Sequence, residues 1–490
     1  MSFWNDMKNE SKWKKTENGA DAYNTTGNDV LDFFTTLGTS RKADESEIHN
    51  RAMASYLTDP LLTLKALFYG RDVRGGLGER KVFTSVLRSF ADYDPATIIA
   101  NLHNVVEFGR WTDLFCLIGS PVEDAVVNYI TQQLKIDSES VNISLLAKWL
   151  PKTNRKQGWK RYIAKRVAKA MGLPYGEYNF LLVTLRQKLK VVELDMSAKQ
   201  WDRIDYSGVP SIAIKNYKDS FYRRDGERFA EYIESVQKGE KKINASTLYP
   251  YDILKKGASS CSKYDPWSYT SPDAVVEALW KAQKNYIEGE NNILVMVDTS
   301  GSMGGDPMFT STSLGIYFAE RNKGAFKNKI MTFSSRPFLV ELKGDTLCSK
   351  LQCIPEITDS TNLYKAFKLV LNTCIKNNTP AEEVPTLLVV SDMQIDSCQV
   401  GGAREAFSDK MRGEFEAAGY KMPNLIFCNV SSNYKPTYLG DGMTKGVTLL
   451  SGSSGAVFKD LLKDLSGMTA YDLMIEILSN PRYDVVEYVG

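Results

Sequence analysis

The chain changes its hydrophobic rhythm near Asn292. Beyond that point short apolar runs of strand length alternate with amphipathic stretches of helical length. Ile293-Leu-Val-Met-Val297 is continuous and apolar, the pattern of a strand buried on both faces. Thr386-Leu-Leu-Val-Val-Ser391 repeats it. The rhythm predicts strands over 293–297, 329–334, 337–342, 386–391, 424–429 and 447–451. It predicts helices over 307–321, 361–376, 402–418, 456–465 and 469–478. Such alternation belongs to a doubly wound α/β fold. Arg336-Pro337 turns tightly between two strands, which makes one edge strand antiparallel.

Before Asn292 the period is helical. Asp59-Pro60 and Asp94-Pro95 each place an N-cap carboxylate before a proline at the first helical position. Apolar positions Leu61, Leu64, Leu67 and Phe68 follow the first pair, and Val82, Phe83, Val86, Leu87 and Phe90 mark the next helix, from about Glu79. Short helices joined by brief turns suggest a helical-repeat array, although no clean period recurs. Residues 1–28 are polar, carry Asn-Gly and Thr-Thr-Gly turn signals, and read as a loosely docked lead-in. A helix over about Pro272–Ile287 closes this half. The fold class is therefore α plus α/β: a lead-in (1–28), an α-helical module (29–288) and a doubly wound α/β domain (289–490).

Composition narrows the chemistry. With 490 residues, 43% apolar and 24% charged, the chain has ample core for about two to four domains. No apolar run reaches the roughly 18 residues that span a bilayer, and Met1-Ser-Phe-Trp-Asn-Asp has no secretory pattern, so the protein is expected in the cytoplasm with no membrane partner. Seven cysteines without a CxxC pair read as reduced thiols. His49 and His103 are the only histidines, which disfavours histidine-rich zinc sites and histidine-based triads. No GxxxxGK[ST] phosphate loop is present. The net charge of +2 divides unevenly: residues 291–490 hold 19 Lys+Arg against 22 Asp+Glu, and residues 1–290 hold 42 against 37.

The strand at 293–297 ends in Asp298-Thr-Ser300-Gly-Ser302. Ligands of open α/β sheets bind beyond the carboxyl ends of the strands, and this is such an end. One carboxylate and two hydroxyls offer only hard oxygen, which suits Mg²⁺. The competing reading makes Asp298 and Ser300 caps of the following helix. A haloacid-dehalogenase phosphatase would need a second Asp where Ser300 stands. Asp-x-Ser-x-Ser after a buried strand resembles the metal-ion-dependent adhesion site of von Willebrand factor A domains. That family uses a Thr and an Asp from two further loops. Thr361, at a helix start, and Asp392, after the run 386–391, match in order and spacing. The resemblance implies Mg²⁺ or Mn²⁺ held by Asp298, Ser300, Ser302, Thr361 and Asp392, and an acidic protein partner at the ion.

The stretch Lys148–Lys169 holds nine Lys or Arg and no acid. Trp159, Ile163 and Val167 repeat at four-residue spacing, which predicts an amphipathic helix with Lys160, Arg161, Lys165 and Lys169 off the apolar stripe. Lys152, Arg155 and Lys156 precede it. A one-signed strip repels itself, and a polyanion relieves that repulsion; a merely solvated face is the alternative. In Arg71-Asp-Val-Arg74-Gly-Gly-Leu-Gly-Glu-Arg80 the glycines would let backbone approach a phosphate, or else Arg71, Arg74 and Arg80 pair with Asp72 and Glu79. Phe108-Gly-Arg-Trp-Thr-Asp-Leu114 reads as a packing and ion-pair device.

These two motifs, with Tyr206-Ser-Gly-Val-Pro-Ser211, resemble an uncharacterised family that couples a helical-repeat module to a von Willebrand A domain. Its layout is similar to that of Ro autoantigen proteins, whose TROVE module is a helical ring. The resemblance implies binding of single-stranded RNA ends or small structured RNA, in a ribonucleoprotein, by a non-enzymatic protein. Arg71, Arg74, Arg80, Lys152, Arg155, Lys156, Lys160, Arg161, Lys165 and Lys169 are the candidate contacts. The alternative is a metal-dependent protein scaffold without nucleic acid.

Overall fold

The computed structural model describes all residues except 1–6, 8, 9, 190, 246, 259–264, 288–291, 334, 335, 357–359, 398–404, 432–436, 441 and 459–466. A short hairpin comes first: β1 (Trp13–Lys15) pairs antiparallel with β2 (Asp21–Tyr23). The helices of the first half are α1 (Asp29–Thr36), α2 (Glu45–Thr58), α3 (Pro60–Arg71), α4 (Arg80–Tyr93), α5 (Pro95–Ala100), α6 (Leu102–Phe108), α7 (Glu123–Glu139), α8 (Leu146–Trp149), α9 (Gly158–Ala170), α10 (Tyr175–Lys188), α11 (Val192–Ala198), α12 (Ser211–Gln237), α13 (Pro250–Gly257) and α14 (Ala274–Lys281). No described helix is long and apolar enough to cross a membrane.

The prolines act where the sequence places them. Asp59 Oδ1 accepts from Leu62 N at 2.9 Å and Asp94 Oδ1 from Thr97 N at 3.2 Å, so each Asp-Pro pair starts a helix. The closing helix α14 is shorter than the predicted 272–287: the Asp273 cap starts it two residues late, and it ends at Lys281, six residues early.

The second half contains β3 (Ile293–Asp298), α15 (Asp306–Arg321), β4 (Lys329–Phe333), β5 (Phe338–Glu341), α16 (Leu347–Leu351), α17 (Leu363–Asn377), β6 (Thr386–Ser391), α18 (Phe407–Ala417), β7 (Leu425–Asn429), β8 (Val447–Ser451) and α19 (Ala470–Leu478). The predicted helix at 456–465 lies mostly outside the described residues. The sheet runs β5-β4-β3-β6-β7-β8, parallel except for edge strand β5. Counted within the sheet this is the order 3-2-1-4-5-6, which reverses between β3 and β6. All of β3 and all but the first residue of β6 are buried, which explains their unbroken apolar runs. The fold is thus α plus α/β, with a six-stranded, mostly parallel sheet in the C-terminal half.

The lead-in is docked, contrary to the expectation from its polar composition. Tyr23 and Tyr438 exchange backbone hydrogen bonds of 2.9 and 3.0 Å, so the hairpin lies on the α/β half. The C-terminal tail crosses the other way. Arg482 donates to Asp72 at 2.5 and 2.9 Å, and buried Asn101 and Asn104 donate to the carbonyls of Glu487 and Val485. Both chain ends therefore tie one half to the other.

Candidate metal centre and basic face

The register places the first pair of polar groups. Val297 lies opposite Val390 in the parallel pair of β3 and β6, which brings Asp298 beside Ser391. Ser391 Oγ donates to Asp298 Oδ2 at 2.5 Å, and Ser300 N donates to Oδ1 at 2.9 Å. Ser311 Oγ, on α15, donates to the Asp298 carbonyl at 2.9 Å. The loop after β3 is anchored by fully buried Met303 and turns into α15 at Gly305, whose φ of +87° suits glycine. A Cβ at Gly315 would collide with Val297, so α15 lies close against β3.

Asp392 comes from the next strand end. Met393 follows it in the left-handed region (φ +65°), with its N–H on Ser391 Oγ at 3.0 Å. A non-glycine residue in this conformation beside a strand-end carboxylate is strain held by its surroundings. Asp392 accepts a hydrogen bond from Ser302, whose hydroxyl stands 3.1 Å from that of Ser300. Asp298, Ser300, Ser302 and Asp392 thus form one contact network. Thr361 is tied to the following stretch of that loop and not to these four residues: its carbonyl accepts from Asp396 N at 3.0 Å, four positions after Asp392. Asn362 caps α17 directly after it, so Thr361 does sit at a helix start.

Burial and like charge dominate the electrostatics. Asp298 is fully buried; desolvation and then the Asp392 charge push its carboxyl up to about 7, against the hydrogen bonds from Ser391 and Ser300. Burial likewise raises Asp392, with Glu17 adding repulsion. Two buried carboxylates facing three hydroxyl-bearing residues fit a hard divalent cation, which would relieve both penalties. Among the described residues no three His, Cys, Asp or Glu side chains form a metal-holding group. The set here has two carboxylates, with hydroxyls as its other donors. Sequence reasoning missed Ser391, which orients Asp298. Its signal was the matched length of two strand runs that end side by side.

The arginine motif folds differently from the expectation. Arg71 is buried, and its Nε donates to Asp113 Oδ2 at 2.7 Å. Arg80 Nε donates to Asp113 Oδ1 at 2.6 Å, and Arg74 pairs with Glu107 at 3.1 Å. Asp72 and Glu79 are taken by Arg482 and Arg41 instead. The glycines serve packing: a Cβ at Gly76 would meet the Tyr69 carbonyl, and at Gly78 (φ +69°) the Tyr249 hydroxyl. The loop backbone is engaged as well, since Leu77 N donates to Tyr69 O and Glu79 N to Gly70 O. Buried Arg71 is therefore a structural ion pair and has no surface to offer a ligand. Asp113 and Trp111 confirm the packing role expected of their motif, with Trp111 stacked on Tyr129 at 5.7 Å.

The basic strip keeps its cations outward. Ile163, Ala164, Val167 and Ala168 are the buried face of α9. Trp159, expected on that apolar stripe, is 56% exposed, because it sits in the first turn beyond the packed side chains. Arg161, Lys165 and Lys169 form an exposed ridge, and Arg155 and Lys156 are exposed before it. Among the described residues Lys152, Arg155, Lys156, Lys160, Arg161, Lys165 and Lys169 form no ion pair, whereas Arg166 pairs with Glu123 and Lys148 with Glu193. Lys160 lies over Trp159 and Lys165 over Tyr175, each 5.2 Å from the ring centre. Arg110 lies 5.9 Å from the ring centre of Trp149, linking the Asp113 cluster to the turn before Lys152.

Comparison with known proteins divides the chain as the fold does. A domain of unknown function (DUF2828) matches residues 16–140 and 177–293, and a second domain of unknown function (DUF7788) matches residues 292–476. The basic helix α9 lies between the two matched segments of the first. An uncharacterised protein of Acanthamoeba polyphaga mimivirus is 30% identical over 497 aligned positions, spanning 91% of this chain and 84% of the viral one. Similarity of that extent reaches both halves, and the chain belongs to the family of this viral protein.

Proposed function

We propose that this is a non-enzymatic RNA-binding protein of Ro-type layout, whose von Willebrand A-like domain docks an acidic protein partner through Mg²⁺ or Mn²⁺. The RNA reading is carried by the seven cations around α9 that form no ion pair among the described residues, with exposed aromatic rings between them. Each cation held without a carboxylate is available to a phosphate. Arg74 and Arg80 are partly exposed but already paired, so they contribute less than the strip. The von Willebrand A reading rests on the 3-2-1-4-5-6 strand order and on polar loops meeting at its reversal point. The helical module is read as a repeat array of TROVE type, with the C-terminal tail on α3, α5 and α6 helping to close it.

Asp298, Ser300, Ser302, Thr361 and Asp392 would hold the ion. When bound it supplies a hard, positively charged position for a partner's carboxylate. Asp298 and Asp392 stay ionised beside it, and Ser391 keeps Asp298 oriented. No general base is assigned beside these groups, and RNA is bound without being cleaved. The described free cysteines support a reducing, cytoplasmic setting.

A scaffold without nucleic acid is the second reading, favoured by the ion pairs that occupy the arginine motif. One preparation separates the two. The purified protein should carry nuclease-sensitive absorbance at 260 nm and shift labelled RNA, equally well for wild type and Asp298→Ala. A preparation free of nucleic acid that shifts no RNA would leave the scaffold reading.

A further inference from the structure

The segment beyond α19 lies along the helical half as a bound peptide would. Three side chains hold its backbone: Thr97 in α5, Asn101 between α5 and α6, and Asn104 in α6, all fully buried. Asn101 Nδ2 donates to the Glu487 carbonyl at 2.7 Å, and Glu487 N donates back to Asn101 Oδ1 at 3.1 Å. Asn104 Nδ2 donates to the Val485 carbonyl at 2.8 Å, and Val489 N donates to Thr97 Oγ1 at 3.1 Å. Every second residue thus turns a backbone group to the helices, the two-residue period of extended chain. The ladder also braces itself: Asn104 Nδ2 donates to Asn101 Oδ1 at 2.9 Å, and Asn101 Nδ2 to the Thr97 carbonyl at 2.8 Å.

The side chains of the segment follow the same alternation. Val485, Glu487 and Val489 are exposed, and Val486 is buried between them. Tyr488 sets its ring edge-on to Tyr56 of α2, with 6.3 Å between centres. Ahead of these, buried Tyr483 stacks on Phe108 at 5.5 Å and donates to Asp72 Oδ2 at 3.2 Å, while Arg482 lies over the same Phe108 ring. Main-chain hydrogen bonds of this kind hold any extended peptide, and pockets for alternate side chains select its sequence. The ladder has capacity to spare. Asn104 Oδ1 is buried and accepts no hydrogen bond among the described residues, a cost that a further N–H would remove. From Asp484 to Val489 only Val486 is buried, so backbone bonds carry most of the hold. A stretch with so few buried contacts opens locally.

We infer that the α5–α6 face is a groove for an extended peptide of a protein partner, closed in cis by this chain's own segment from Arg482 to Val489. The peptide that fits carries an Arg-aromatic pair, an apolar residue three positions after the aromatic, and a second aromatic two positions further on. The positions on either side of the apolar residue are free. A partner has to displace the cis segment, which makes that segment an autoinhibitory strap. The inference stands apart from the metal and RNA readings.

The test uses the full chain and a fluorescein-labelled synthetic peptide with the sequence of residues 480–490, read by fluorescence anisotropy. The cis segment competes at an effective concentration of about the millimolar range, so wild type should bind the peptide weakly. Val486→Asp in the protein unseats the strap and leaves the ladder intact; affinity for the peptide should rise about tenfold or more. An N-methyl group on the peptide's Glu487 removes the N–H that Asn101 accepts and should lower that affinity about tenfold. Alanine at the peptide's Val485 and Glu487 should leave it unchanged. Equal affinity of wild type and Val486→Asp, or indifference to N-methylation, would overturn the inference. Hydrogen exchange of the wild type decides the matter even where Val486→Asp does not fold. The fragment over 485–489 should exchange about a hundredfold faster than α6. Exchange as slow as that of α6 would mean that the strap opens only with the whole fold, and the groove would then be a structural contact alone.

Discussion

Replacing Asp298 by Asn should alter how the metal-free protein responds to pH. The Asp298 carboxyl is pushed up to about 7 in the folded chain from an ordinary value of 3.8. Between those values the folded state keeps a proton that the unfolded state has released. The contribution to stability is therefore fully present below about pH 4 and is lost as pH rises through about 7. At about 1.36 kcal/mol per tenfold change in proton affinity, the loss reaches at most about 4 kcal/mol. It is an upper bound because Asp392 interacts with the same charge. Asn keeps the shape of the carboxyl and can accept from Ser300 N, but it does not titrate. Urea unfolding in EDTA, followed by tryptophan fluorescence at about pH 5, 6, 7 and 8, reads the difference between wild type and Asp298→Asn. The wild type should lose stability relative to the variant as pH rises, and saturating Mg²⁺ should reverse the trend by favouring the ionised form. A pH-independent difference in EDTA would refute the argument that burial and like charge govern Asp298.

Reversing Lys160, Arg161 and Lys165 to Glu should weaken RNA binding and flatten the dependence of log affinity on log salt by up to about 2, at about 0.7 for each single-strand phosphate that is no longer neutralised; an unchanged slope in a filter-binding series would remove the strip from the interface. Asp113→Ala should destabilise the helical half by about 3–5 kcal/mol, since it strands buried Arg71 and strips Arg80 of its partner; a thermal shift of under a few degrees would contradict that. Gly315→Ala should cost about 1–3 kcal/mol, because the new methyl overlaps Val297 where α15 packs on β3, and denaturant unfolding measures it.

Local chemistry made part of this molecule readable. The strands are found within one residue of their expected bounds, because unbroken apolar runs such as 293–297 and 386–391 can be buried on both faces only within a sheet. Asp298, Ser300, Ser302 and Asp392 stood out because polar groups interrupt those runs at their carboxyl ends. What the sequence hid depends on distant partners. Arg71 finds Asp113, 42 positions away, in preference to the adjacent acids. Asp72 is claimed by Arg482, 410 positions away. Ser391 gains its role only from the parallel register of β3 and β6. Trp159 keeps the four-residue spacing of a core residue, yet its side chain stays exposed in the first turn of α9. The hairpin looked detachable because its anchors, Gln394 and Ile395, lie 377 and 379 positions after the residues they hold.

A divalent ion held where β3 and β6 part is the premise on which partner docking depends. Anomalous diffraction from crystals soaked in Mn²⁺ would locate it. The predicted result is one peak per chain in contact, directly or through water, with Asp298, Ser300, Ser302, Thr361 and Asp392, and no such peak in Asp298→Ala crystals. A map without density at that point in the wild type, or a peak that survives in Asp298→Ala, would contradict it.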